Sequence, residues 1–149
     1  MLIARTLFAL FMSCASSLLW ADVTEVDNDA LQKLIAQGVP VIDVRREDEW
    51  QQSGVIDGAH LLTFFDKQGR YDVDKWLSEL DKVATKDSPI ILICAAGVRS
   101  KNIADLMNKR LGYTGVHNHT KGMYNWVEKG KPVVAFSNEQ TKTKKLVDE

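Results

Sequence analysis

Apolar residues along this chain follow two periods. In residues 27–38, DNDALQKLIAQG, Leu31, Leu34 and Ile35 fall on one face of a helix that opens on capping residues and stops at a glycine. Residues 71–83 repeat the pattern with Val73, Trp76, Leu77 and Leu80. Residues 100–112 repeat it again with Ile103, Leu106, Met107 and Leu111 before the stop at Gly112. Shorter helices are predicted for REDEWQQSG, ending at Gly54, and for the segment opening at Gly122. Between the helices lie a short β-branched run, VPVIDV at 39–44, which fits a buried strand, and the continuous apolar run IILI at 90–93, the pattern of a strand buried on both faces. Residues 113–119, YTGVHNH, predict a further strand. Short buried runs alternating with amphipathic helices imply an α/β fold, a mostly parallel central sheet covered on both sides in three layers, α/β/α.

The first residues break this pattern. After Met1 and the basic Arg5 comes the apolar run 7–19, LFALFMSCASSLL, then Trp20, Ala21 and an abrupt change to DVTEVDND. A basic start, an apolar middle and a small residue at the join read as a secretory signal peptide, cleaved after Ala21. The run is too short to span a bilayer comfortably. The expected organisation is a signal peptide at 1–21, one domain at 22–136 and a polar tail at 137–149, in a periplasmic or secreted protein. The formal net charge of −1 is mixed along the chain, which argues against nucleic acid or an acidic membrane surface as a partner. Loss of Cys14 with the signal peptide leaves Cys94 alone, so no disulfide can close within the chain. A leftover cysteine in a secreted chain suggests a reactive thiol or an intermolecular bond.

Cys94 stands where a buried strand ends and a helix begins near Arg99 or Ser100. In open α/β sheets that is the edge where active sites lie. The loop residues Ala95, Ala96, Gly97 and Val98 are small or compact, and Gly97 can adopt a positive φ. Free N–H groups at the helix start, its dipole and the Arg99 charge would all favour a thiolate. A loop curled round the sulfur would form an anion cradle. The competing reading is a small hydrophobe at a strand end, the commonest fate of a free cysteine.

CAAGVRS, Cys94 to Ser100, resembles the active-site loop of the rhodanese family of sulfurtransferases. The resemblance extends to VIDVRREDEWQQSGVIDGAHLL, with Asp43, Arg45, Glu49, Trp50, Gly54, Ile56, Gly58 and Ala59, and to the closing segment with Lys121, Gly122, Trp126, Gly130 and Pro132. It implies a rhodanese-like fold and an enzyme in which the Cys94 thiolate takes the outer sulfur of a donor such as thiosulfate. The persulfide, held by the N–H groups of residues 95–99, then passes sulfur to cyanide or a thiol, which is two-step covalent catalysis without metal or organic cofactor. The implied partners are a small sulfur donor, a thiol or cyanide acceptor and a possible protein thiol. Many members carry arginine directly after the cysteine; here that residue is Ala95.

Two alternatives use the same thiol. One is a persulfide carrier or thiol-redox module acting on a protein. The other is a cysteine phosphatase or arsenate reductase, whose arginine follows the cysteine by six positions; here Arg99 follows by five, a loop one residue short for an oxyanion. Asp43, Arg45 and Glu49 are expected to form an internal ion pair supporting the loop rather than to act on substrate. His117 and His119 share a strand face but lack a third metal ligand, so they are read as surface histidines. His60 is read as packing near the turn at Gly58, and Trp50, Trp76 and Trp126 as core or rim aromatics.

Overall fold

The structure, a computed structural model, describes residues 22–137. The signal-peptide reading of 1–21 and the tail from 138 onward lie outside the described residues. Five strands are found: β1 (Thr24–Val26), β2 (Val41–Asp43), β3 (His60–Leu61), β4 (Ile90–Ile93) and β5 (Val116–His119). They form one sheet in the order β1-β5-β4-β2-β3, and every pair in it is parallel. Five helices accompany them: α1 (Asn28–Ala36), α2 (Glu47–Ser53), α3 (Val73–Leu80), α4 (Val98–Leu111) and α5 (Gly122–Glu128).

The two-residue period of a strand sorts the core into two halves. Ile42, Ile90, Leu92 and Val116 face one side, where they pack with Trp76 and Leu80 of α3 and Ile103, Ala104 and Met107 of α4. Val41, Ile91 and Ile93 face the other, against Leu31 of α1 and Met123 and Trp126 of α5. All four residues of β4 are fully buried, as a central strand sandwiched between helices requires. Trp50, Trp76 and Trp126 are buried as expected.

The helix expected at 27–38 is capped by the Asp27 carboxylate, which accepts from the Ala30 N–H at 2.9 Å. Two strands escaped the sequence reading. β1 sits in the polar DVTEVDND segment, and only Val26 of its three residues is buried, because it is a sheet edge. β3 has only two residues, too few for a period to register. The helix expected to start near Arg99 or Ser100 is α4, which begins at Val98. Gly97, at φ 86°, makes the sharp entry.

β4 is the middle strand, so the loop at its carboxyl end is flanked by the ends of β2 and β5. Asp43 is in register with Ile93, and Leu92 with Asn118. Everything that follows lies at this end of the sheet.

Candidate active site

Cys94 directly follows β4 and is 1% exposed. Its Sγ receives the Gly97 N–H at 3.2 Å and stands 3.3 Å from the Ser100 hydroxyl. That hydroxyl also lies 3.1 Å from the Gly97 carbonyl. With one proton to give, Ser100 serves one acceptor at a time, and a negatively charged sulfur is the stronger. Helical bonding begins only at the Lys101 N–H, which bonds to the Gly97 carbonyl at 3.1 Å. The backbone N–H groups of Ala95, Ala96, Val98, Arg99 and Ser100 have no acceptor among the described residues. They are the unclaimed donors of a strand-to-helix loop, at the positive end of the α4 dipole.

The loop is seated from its carbonyl side by α5. Met123 N–H bonds to the Cys94 carbonyl at 2.8 Å and Tyr124 N–H to the Ala95 carbonyl at 2.9 Å. This approach needs glycine at 122, where φ is 61° and a Cβ would stand 2.5 Å from the Cys94 and Ala95 carbonyl oxygens. Gly97 is equally constrained, since a Cβ there would overlap the Thr120 carbonyl. The Lys121-Gly122 pair was noted in the sequence only as part of a closing segment. Its role as the seat of the loop was missed, because nothing in local sequence says that residues near 95 and 122 touch.

The acidic and basic residues of the second segment divide into two arrangements rather than one. Asp43 and Arg45 form a pair with both side chains 1% exposed, at 2.7 Å. The guanidinium also bonds to the Gly54 carbonyl at 2.8 Å and the Ser53 hydroxyl at 2.7 Å, so its buried charge is well satisfied. Glu49, expected in the same cluster, turns instead to the loop. Its carboxylate meets Arg99 Nη1 at 2.9 Å and Nη2 at 2.5 Å. Burial alone would raise the Glu49 carboxyl, but hydrogen bonds from Arg99 and the Arg46 N–H prevail and hold its pKa below the usual 4.5. The Arg99 pKa is raised, first by the same bond to Glu49.

His119 corrects the surface reading: it is 1% exposed, at the end of β5. Its Nε2 lies 2.8 Å from Asn28 Oδ1, and Asn28 Nδ2 donates to Asn125 Oδ1 at 3.0 Å, which ties β5 to α1 and α5 behind the loop. Burial pushes the His119 pKa below 6.5. His117 is half-buried and lowered by the same cause. His60 pairs in β3 opposite Ile42 and is half-buried.

The family model described as Rhodanese-like domain matches residues 27–129. Rhodanese-like domain-containing protein 17 of Arabidopsis thaliana is 27% identical over 74% of this chain and 72% of that protein. Thiosulfate sulfurtransferase 18 of the same plant is 26% identical over 81% of this chain and 90% of its own length. Among solved structures, the polysulfide-sulfur transferase homodimer of Wolinella succinogenes superposes with a TM-score of 0.59 at 22% identity, covering 78% of this chain and 82% of that one. At that identity the last likeness shows the fold alone.

Proposed function

Since the chain belongs to the rhodanese-like domain family, we propose that it is a sulfurtransferase working through a persulfide on Cys94. The observation that carries this reading is the sulfur itself. It lies at the end of the central strand, held by the Gly97 N–H at 3.2 Å within a loop whose other N–H groups are unclaimed. One Arabidopsis relative, named a thiosulfate sulfurtransferase and 26% identical, supports this reading.

The reaction has two halves. The Cys94 thiolate attacks the outer sulfur of a donor, a bond forms between Sγ and that sulfur, and the rest of the donor leaves with the bonding pair. A thiophilic acceptor, cyanide or a thiolate, then attacks the outer sulfur of the persulfide and restores the Cys94 thiolate. The protein's contribution is electrostatic and geometric. Backbone donors stabilise negative charge on the inner and outer sulfurs without reorganising, and Ser100 follows the charge on Sγ. Glu49 and Arg45 hold the framework and touch no reacting atom.

The five-position spacing from Cys94 to Arg99 favours this chemistry over phosphate or arsenate, which need a wider loop. A protein thiol is a natural acceptor, and we place the protein outside the cytoplasm on the strength of the apolar segment at 7–19. The test is to incubate the purified protein with a sulfane donor, then read intact mass and the thiocyanate formed with cyanide. A one-sulfur adduct and turnover are expected, both abolished in Cys94→Ser. Turnover that survives in Cys94→Ser overturns the mechanism.

A further inference from the structure

Behind the loop, on the face of the sheet covered by α1 and α5, three polar side chains are linked in a row. Asn125 Nδ2 donates to the Glu128 carboxylate at 3.5 Å, which leaves Asn125 Oδ1 to accept from Asn28 Nδ2 at 3.0 Å. That orientation turns Asn28 Oδ1 toward His119 Nε2 at 2.8 Å, and an amide oxygen can only accept. His119 is therefore the donor, with its proton on Nε2 and a bare lone pair on Nδ1. Nδ1 is buried and has no hydrogen-bond partner among the described residues. We infer that Asn28, His119 and Asn125 are positioning residues, whose one-way relay sets α5 against the Cys94 loop and requires a neutral His119.

The relay matters because α5 is short. It has seven residues, and the side chains it buries are Met123 and Trp126. Apolar contact is non-directional, so it holds such a helix down without fixing its rotation. Rotation decides whether the Met123 and Tyr124 amides meet the Cys94 and Ala95 carbonyls, at 2.8 and 2.9 Å. Asn125 is the next residue, and its bond to Asn28 crosses 97 positions of sequence to the first turn of α1. Trp126 Nε1 also bonds, to the Pro132 carbonyl at 2.8 Å, but that joins α5 to the chain after it rather than to α1. The other end of the relay lies against the loop as well, since a Cβ on Gly97 would stand 3.0 Å from the His119 carbonyl. Because all three bonds donate toward Glu128, each polarises the next.

Protonation works against this arrangement. A proton on Nδ1 turns an unpaired acceptor into a buried donor beside the Gly122 backbone, immediately before the two seating amides. Titratable groups on the elements around His119 include Asp27, Asp29 and Lys33 at α1, Lys121 and Glu128 at α5, and His117 on β5 itself. Burial opposes the imidazolium and prevails over Asp27, which favours it. Val26, paired with His119 across β1 and β5, and Trp126, edge-on at 6.4 Å between ring centroids, carry no charge to offset it.

For turnover the inference rests on the sulfurtransferase reading, whereas amide exchange reads the seat directly. Ring ¹⁵N shifts of His119 at about pH 8, above the ordinary histidine range, are expected to show the Nε2–H tautomer; the Nδ1–H tautomer overturns the inference. In Asn125→Ala, hydrogen exchange at the Met123 and Tyr124 amides is expected to quicken at least about tenfold relative to Ile91 of β4. Sulfur addition to Cys94 from thiosulfate, followed by intact mass, is expected to slow about tenfold in Asn125→Ala and in His119→Leu. His119→Gln is expected to recover most of the rate lost in His119→Leu, because its amide can donate to Asn28. It is also expected to lose the acid limb of the pH profile that follows the His119 titration. Exchange at Met123 and Tyr124 that keeps step with Ile91 in Asn125→Ala overturns the inference, as does an acid limb unmoved in His119→Gln. No sulfur addition even to the wild-type protein counts against the sulfurtransferase reading instead, while the exchange rates still decide the relay.

Discussion

Glu49 and Arg99, fifty positions apart in sequence, meet in a two-point ion pair that joins α2 to the first turn of α4. Both side chains are only partly shielded, at 16% and 28% exposed, so solvent weakens the attraction. Its value is that it fixes where the loop's helix begins.

The first prediction follows from that contact. In a double-mutant cycle of Glu49→Gln and Arg99→Gln, urea midpoints are expected to be non-additive, with a coupling of roughly 1 kcal/mol. The carboxyl has a lowered pKa in the folded state, so this contribution is present above pH 4.5 and is lost as pH falls through the folded value. Additive midpoints at neutral pH would show that the pair contributes nothing to stability.

Gly122 gives the second. Gly122→Ala brings a Cβ to 2.5 Å from two loop carbonyls at a positive φ, and is expected to cost about 2 kcal/mol or more and to lower turnover at least tenfold. Gly130→Ala is the control. It also has a positive φ, 64°, but open space around it, so only the conformational cost of about 1–2 kcal/mol should appear, with turnover retained. Equal losses of turnover in the two variants would contradict the seating of the loop by α5.

The third concerns pH. Burial lowers the folded pKa of His119, so the unfolded chain binds more protons below 6.5. Stability is therefore complete above pH 6.5 and declines as pH falls from there toward the folded value, and His117 acts in the same direction. The urea midpoint measured between about pH 5 and 8 is expected to rise with pH, and His119→Gln to flatten much of the slope. An unchanged slope in that variant would remove His119 as the source.

The sheet and the position of Cys94 were legible because each rests on local pattern. Ile90–Ile93 is a run that only a doubly covered strand explains, and Cys94 follows it directly. The helix periods at Leu31, Trp76 and Ile103 named core residues that are buried in the fold. The relationships that complete the site are long-range and left no such trace. Glu49 reaches Arg99, Gly122 reaches Cys94, and His119 reaches Asn28 across 91 positions. His119 was read as exposed because a lone strand of alternating polar residues looks like a wet face. Here helices α1 and α5 cover that face, and Asn28 partners the imidazole at Nε2.

The two amide bonds from Met123 and Tyr124 to the loop carbonyls also set an order in time. A chain made from its N-terminus contains β4 and Cys94 before α5, so the cysteine exists while its seat has yet to be synthesised. The cradle is complete only once α5 has been made. A chain stopped before Gly122 would carry the cysteine but not the α5 amides that hold its loop.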